Sequence, residues 1–327
     1  MSNNRIMATD SLLSSTTVPV AVPQGAPAPT RHRIFSPGRV ITIAGGTFTQ
    51  LVRMKVFYFM AIFAVAVIAS SFAFADLETE GQLKLLKDVS LAAMSLFSML
   101  FAIAGTALLL PRDIEDRTIY TILCKPVPRL EYLLGKMLGV VWLILISLLL
   151  MDTLFCVVLH LKTQSIISTQ MEVLSAMKFP SPDARDASIS QVQETILKQG
   201  MTWNLQFGVL AVFLKAVVLT GTTLLLSTFA SSTIFTIMSS LAVMIIGQAQ
   251  SLARDVFLGQ DASTVPRIIA GAVSLVFPDF KGFDIVDAVV SGTVVEGLIM
   301  LKMTGLTLVY MVIHLLAAYV MFSDKEI

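Results

Sequence analysis

Charged residues are scarce in this chain. Only 14% of its 327 residues are Asp, Glu, Lys or Arg, while 55% are hydrophobic. Soluble domains carry about 25% charged residues, so this composition predicts an integral membrane protein with the lipid bilayer as its solvent. The formal net charge of +1 leaves no electrostatic basis for binding nucleic acid.

Cysteine and histidine are also scarce, which bears on metal sites and disulfides. The two cysteines, Cys124 and Cys156, lie too far apart to predict a disulfide framework or a metal spacing. We interpret them as packing residues. The three histidines, His32, His160 and His314, form no ligand cluster in the sequence, so we expect no metal site.

The sequence lacks the motifs of nucleotide hydrolysis and of common hydrolases. Gly135-Lys136 is followed by Met and has no upstream glycine, so it is not a phosphate-binding loop. Neither His-Glu-x-x-His nor Gly-x-Ser-x-Gly occurs. We therefore expect a chain without catalytic residues or a cofactor of its own, and any ATP hydrolysis to belong to another subunit.

Long uncharged runs are what the sequence has in abundance. About 20 apolar residues suffice to cross a hydrocarbon core of about 30 Å. The runs predict an all-α fold with six transmembrane helices, at residues 56–75, 90–110, 137–159, 204–228, 232–251 and 298–322. Residues 228–233 contain no charge and predict a tight connection between the fourth and fifth helices.

The segments between and before these runs carry further predictions. Residues 1–35 are rich in Ser, Thr and Pro without an apolar signal-peptide core, which predicts a disordered cytoplasmic tail ahead of a transmembrane domain at 36–327. Residues 36–55 predict an amphipathic interfacial helix with its basic groups, Arg39 among them, toward lipid phosphates. We expect a polar loop at 76–89 and a long loop at 160–203, in which the stretch 186–199 has helical features.

Two short apolar runs, 266–277 and 285–295, flank the breaker Phe277-Pro278-Asp279-Phe280-Lys281-Gly282. They are too short to cross, so they predict re-entrant or interfacial helices before the last span. Lys and Arg are concentrated in the N-terminal flank and in the loop at 111–136. This bias predicts that both termini and that loop lie in the cytoplasm. We expect a multi-pass protein of the plasma (cell inner) membrane.

The loop at 111–136 is the densest patch of mixed charge. Residues 112–124 predict a short helix in which Asp113 and Arg117 pair at i and i+4, with an apolar strip beside them. Gly135 and Gly139 predict a close approach of another helix to the third span. The loop is either a solvated connection that sets topology or a docking surface for a partner.

Three polar side chains fall inside predicted spans: Asp152, Lys215 and His314. A charge in hydrocarbon costs about 2.5–3.5 kcal/mol on insertion scales, so each charged group needs a partner. We expect Asp152 and Lys215 to meet across antiparallel helices, either as a structural pair or as a substrate or gating site. His314 is expected to bond a neighbouring helix.

The stretch from Asp113 to Lys136, with its Pro-Val-Pro-Arg and Gly-Lys elements, resembles the signature of ABC-2 type transporter permeases. Residues 44–57 resemble the helix that leads into that family's first span, and 276–286 resemble its proline-containing segment before the last. The closest resemblance is to the permeases grouped with copper-enzyme maturation systems. At Asp116-Arg117-Thr118 this chain lacks a glycine that many relatives carry.

The resemblance implies a permease subunit of an ATP-driven exporter. It would pair with a second permease subunit, as a homo- or heterodimer, and with ABC ATPase subunits that bind ATP and magnesium. It implies ATPase coupling through 112–131, by six residues of this segment: Asp113, Glu115, Asp116, Arg117, Thr118 and Arg129. Two alternatives stay open, a stand-alone secondary transporter or channel that uses Asp152 and Lys215, and a structural membrane anchor.

Overall fold

The computed structural model describes residues 35–55, 58, 61–62, 65–70, 81–109, 113, 128–177, 182–200, 202–230, 232–257 and 277–323. Across these ranges the chain is helical and contains no strand, which confirms the all-α prediction. The predicted tail lies outside the described residues except for Phe35.

Eight α-helices and one short 3-10 turn, Lys281–Phe283, are present in the described ranges. In chain order the helices are α1 Pro37–Val52, α2 Gln82–Ala107, α3 Arg129–Ala176, α4 Pro182–Gln199, α5 Trp203–Phe229, α6 Thr233–Phe257, α7 Val286–Val290 and α8 Gly297–Ser323. Three residues, 230–232, separate the end of α5 from the start of α6, so the predicted tight connection between them is confirmed.

Five of these helices are long and apolar enough to cross a membrane: α2, α3, α5, α6 up to Gln250, and α8. The chain is therefore a multi-pass membrane protein. The first predicted span, 56–75, lies largely outside the described residues, with residues 65–70 helical. The count of six spans stays a prediction.

Helix α3 is much longer than a membrane span requires. Its 48 residues extend about 72 Å at the α-helical rise of 1.5 Å per residue. The predicted loop is therefore wrong at 160–176, because these residues continue α3. The helical features at 186–199 agree with α4, which packs back against α3. Residues 160–176 contain neither Gly nor Pro, and hydroxyls such as that of Thr163, which donates to Leu159 O at 2.8 Å, are satisfied within the helix.

Helix α2 also starts earlier than predicted. Gly81 is left-handed, with φ of 86°, and the helix runs from Gln82, so residues 82–89 are not a loop. Leu83 and Leu86 are buried there. The predicted polar loop ends at this glycine because only Gly adopts that conformation at little cost.

Helix α5 is the central column of the fold. It contacts α2, α3, α6, α7 and α8, and most of its span is buried. By contrast, α6 and α8 expose large apolar side chains such as Ile234 and Leu301, which suits faces that meet lipid. Polar side chains on α5 consequently lie inside the bundle.

The segment before α8, residues 277–296, packs against α6 and α5. The Phe280 N–H donates to Gly247 O at 3.2 Å, and a Cβ on Gly247 would lie 2.6 Å from Pro278 O. Asn204 of α5 holds the far end, since its amide donates to Thr293 O at 2.6 Å. Of the apolar run 285–295 only Val286–Val290 is helical, and 266–276 lies outside the described residues.

Candidate functional site

Polar side chains converge where α3 begins, at the end predicted to be cytoplasmic. They tie together α1, Asp113, the first two turns of α3 and the last turn of α8. We call this group the α3 polar cluster; it consists of Arg39, Asp113, Arg129, Glu131, Tyr132 and Lys136.

Glu131 is the anchor for α1. Its carboxylate is fully buried and accepts from Arg39 Nε at 2.7 Å and Nη2 at 2.9 Å. It also accepts from the backbone N–H of Ser36 at 2.7 Å, at the positive end of the α1 dipole. The bond to Glu131 raises the pKa of Arg39 above its already high ordinary value. The prediction that Arg39 points to lipid phosphates is therefore wrong, because a buried carboxylate on α3 takes it.

Asp113 is the one residue of 112–127 that the structure describes, and it is buried. Its carboxylate accepts from the Tyr132 hydroxyl at 2.5 Å and pairs with Lys136 Nζ at 2.6 Å. Lys136 Nζ also lies 3.5 Å from Gln50 Oε1 of α1. Asp113 thus joins the start of the charged segment to α3. Its predicted partner Arg117 lies outside the described residues.

Arg129 binds the C-terminal end of α8. Its Nη1 donates to Phe322 O at 2.7 Å and to Ser323 O at 2.9 Å, and its guanidinium lies 5.6 Å from the centre of the Phe322 ring. Tyr132 stacks on the same ring, with centroids 6.2 Å apart. A cation at the last carbonyls of a helix complements the helix dipole, so Arg129 fixes α8 to α3.

Gly135 and Gly139 allow α1 to lie directly against α3. A Cβ on Gly135 would sit 2.7 Å from Ile43 Cβ, and one on Gly139 would sit 2.6 Å from Thr47 Cβ and 2.8 Å from Ala44 O. The predicted close approach is confirmed, and its partner is α1. The hydrogen bonds of Glu131 and the close packing at the two glycines therefore both hold α1 against α3.

Of the six residues that the resemblance assigns to ATPase coupling, the structure brings Asp113 and Arg129 into this cluster. The remaining four, Glu115, Asp116, Arg117 and Thr118, lie outside the described residues. Sequence reasoning missed Glu131 and Tyr132 entirely. The one available signal was that two charges, Glu131 and Lys136, precede an uncharged run.

The structure does not bring Asp152 and Lys215 together. Asp152 Oδ1 instead faces Gln206 Nε2 of α5 at 3.4 Å and Cys156 Sγ at 3.7 Å. Gln206 is therefore level with Asp152 across the two helices. Lys215 lies nine residues beyond Gln206 on α5, which is about 13 Å along the helix axis. The predicted pair fails on helix register.

His314 is buried on α8 and stacks on Tyr310, with centroids 5.8 Å apart. Its Nδ1 lies 3.4 Å from where a Cβ on Gly221 of α5 would stand. Nδ1 has no hydrogen-bond partner within the part of the chain that the structure describes. Nδ1 therefore does not make the bond to a neighbouring helix that the sequence predicts for His314, and α5 presents Gly221 at this point.

Comparison with known proteins adds no assignment. No family model matches the chain, and no curated protein is significantly similar to it. Within the described ranges, no three His, Cys, Asp or Glu side chains converge as metal ligands. The functional argument consequently rests on the α3 polar cluster, the sequence resemblance and the membrane fold.

Proposed function

We propose that this chain is the membrane-spanning permease subunit of an ATP-driven ABC transporter, an exporter, coupled through residues 112–131 to a separate ATPase. The observation that carries the proposal is the anchoring of that segment at both ends. Asp113 is bonded to Tyr132 and Lys136, and Arg129 is bonded to the end of α8.

Because of this anchoring, a partner that moves the segment would also move three helices. A displacement of residues 114–127 pulls on α3 through Asp113 and on α8 through Arg129. Glu131 and the two glycines pass the same displacement to α1. In this proposal Asp113 and Arg129 position the segment, while Glu115, Asp116, Arg117 and Thr118 contact the ATPase.

Two further features of the chain support a subunit that works with partners. The sequence has five spans in the described ranges but no phosphate-binding loop, so the energy source must be external if transport is active. The exporter direction and the second permease subunit follow from the family resemblance.

The proposal is tested by purifying the tagged full-length chain from its native membranes. We expect an ATPase with a Walker motif to co-purify and to hydrolyse ATP faster with the permease present. The triple variant Glu115→Ala, Asp116→Ala, Arg117→Ala should lose both the co-purifying ATPase and the stimulated hydrolysis, while the yield of the permease stays unchanged. A matched control changes Arg185→Ala and Asp186→Ala, which are exposed on α4, and should keep both.

Two results would overturn the proposal. The first is a purified permease, intact and abundant, that carries no nucleotide-binding partner. The second is a triple variant that retains the partner and its stimulated hydrolysis at the wild-type level, since coupling would then not pass through the segment at 112–131.

A further inference from the structure

A second polar feature lies away from the α3 polar cluster. An open cavity of about 420 Å³ is lined by α2, α5, α6 and the segment around α7. Its polar lining includes Lys215, Gln248, Asp88, Asp284 and Asp287. Its volume falls within the range of about 300–1,000 Å³ that is typical of small-molecule sites.

Lys215 is the informative residue of this cavity. Its side chain is only 4% exposed and lines the cavity. It makes no hydrogen bond and no ion pair within 4 Å with any residue that the structure describes. Asp284 acts on it electrostatically without contacting it. A buried ammonium is costly unless a counter-charge contacts it. Asp284 acts on Lys215 only from a distance, so an anionic group of a ligand in direct contact with the amine would stabilise it.

The rest of the lining has the opposite charge. Asp88, Asp284 and Asp287 are all exposed and line the same cavity as Lys215. A purely anionic ligand would be repelled by the three carboxylates, and a purely cationic ligand would leave Lys215 without a partner. A ligand with both charges satisfies the two ends together.

The remaining walls are apolar and include Leu96, Met99 and Met244. They offer contact to a short aliphatic body between the two charged ends of a ligand. Methionine suits such a wall because its unbranched thioether adapts to the shape of what it packs against.

We propose that this cavity binds a zwitterion, with a phosphate or carboxylate at Lys215 and an ammonium among the three aspartates. The same chemistry occurs in a free phosphoethanolamine-type molecule and in the headgroup of a phosphatidylethanolamine lipid. The inference does not depend on an ATPase partner, because the site is built from this chain alone.

The test uses the full-length chain in detergent and three soluble probes. Glycerophosphoethanolamine carries both charges, glycerol 3-phosphate carries only the anion, and ethanolamine carries only the cation. We expect the zwitterion to bind at least tenfold more tightly than either single-charge probe, measured by calorimetry and by the rise in thermal midpoint. Equal binding of glycerol 3-phosphate, or no binding of any probe or lipid, would overturn the proposal.

Variants assign the two ends of the ligand. Lys215→Met should abolish binding of the zwitterion, and Lys302→Met, which changes an exposed lysine on α8, should leave it unchanged. The double variant Asp284→Asn, Asp287→Asn alters exposed positions, so it keeps the test open if Lys215→Met does not fold. It should remove the preference of the zwitterion over glycerol 3-phosphate, and an unchanged preference in this variant contradicts the proposal.

A further experiment with lipids distinguishes the two sources of the ligand, a lipid headgroup and a free molecule. The chain is reconstituted in nanodiscs of phosphatidylglycerol with 10% phosphatidylethanolamine, and the lipid that stays bound after transfer to detergent is identified by native mass spectrometry. Retention of phosphatidylethanolamine by the wild type but not by Lys215→Met identifies a headgroup site. Probe binding without lipid retention identifies a free zwitterion. Both measurements omit the ATPase, so their outcome is independent of the proposed coupling.

Discussion

The contact between α1 and α3 can be tested with a single methyl group. In the substitution Gly139→Ala the new Cβ would lie 2.6 Å from Thr47 Cβ and 2.8 Å from Ala44 O. Carbon atoms pack best at about 3.5–4.0 Å, so the two helices must separate by about 1 Å. Neither obstructing atom lies at the end of a flexible side chain, so no rotamer change relieves the clash.

A neighbouring glycine provides the matched control. A Cβ on Gly105 of α2 would lie 3.6 Å from Val140 Cγ1, which is an ordinary contact distance. Val140 follows Gly139 directly on α3, so both substitutions test the same region of the helix. Both substitutions gain about 0.5–1 kcal/mol from the better helix propensity of alanine. The difference between the two variants therefore isolates the overpacking cost, about 1–3 kcal/mol.

The measurement is the thermal midpoint of the purified chain in detergent. At about 2 °C per kcal/mol for a chain of this size, we expect Gly139→Ala to unfold about 2–6 °C below Gly105→Ala. Gly135→Ala, whose Cβ would lie 2.7 Å from Ile43 Cβ, should behave like Gly139→Ala. If Gly139→Ala equals or exceeds Gly105→Ala, α1 does not lie against α3 as described.

Three further predictions concern stability and orientation. Glu131→Gln should lower the thermal midpoint by several degrees, because it removes the charge from a buried carboxylate that holds α1; Glu172→Gln, exposed on the same helix, should have little effect. Gly247→Ala should also lower the midpoint, since its Cβ would meet the segment at 277–280, and limited proteolysis should cut that segment faster. In a cysteine-free background, a membrane-impermeant maleimide should label Ala187→Cys on intact cells and Ser14→Cys only after permeabilisation.

Each of these has an outcome that contradicts it. Equal midpoints for the two glutamate variants would mean that the buried carboxylate contributes nothing to folding. An unchanged proteolysis rate in Gly247→Ala would mean that the segment at 277–280 does not pack against α6 at Gly247. Labelling of the N-terminal cysteine from outside intact cells would reverse the orientation and place the α3 polar cluster on the wrong side for a cytoplasmic ATPase.

The spans that the sequence predicted best are those bounded by polar residues at both ends. The predictions 204–228 and 298–322 differ from α5 and α8 by one residue at each end. Hydropathy failed at α3, because it locates the edge of the hydrocarbon and not the end of a helix. Residues 160–176 are too polar for lipid yet contain no helix breaker, so the helix continues beyond the membrane.

The site was harder to predict because its contacts join distant parts of the chain. Asp113 and Arg129 were singled out on motif resemblance, but their partners were not. Glu131 and Arg39 are 92 residues apart, so no local pattern links them. The expected pairing of Asp152 with Lys215 required a helix register, and a periodicity analysis of single helices does not supply one.

The α3 polar cluster and the cavity around Lys215 lie on different helices, which constrains how they can communicate. The α3 polar cluster joins α1, α3 and α8, whereas the cavity around Lys215 is lined by α2, α5, α6 and the α7 segment. Helix α5 contacts both groups and carries Lys215. If the proposed ATPase moves α3 and α8, the displacement reaches the cavity through α5. Because the cavity lining and the α3 polar cluster share no residue, Lys215→Met should abolish ligand binding without affecting ATPase attachment, and the triple variant at 115–117 should do the reverse.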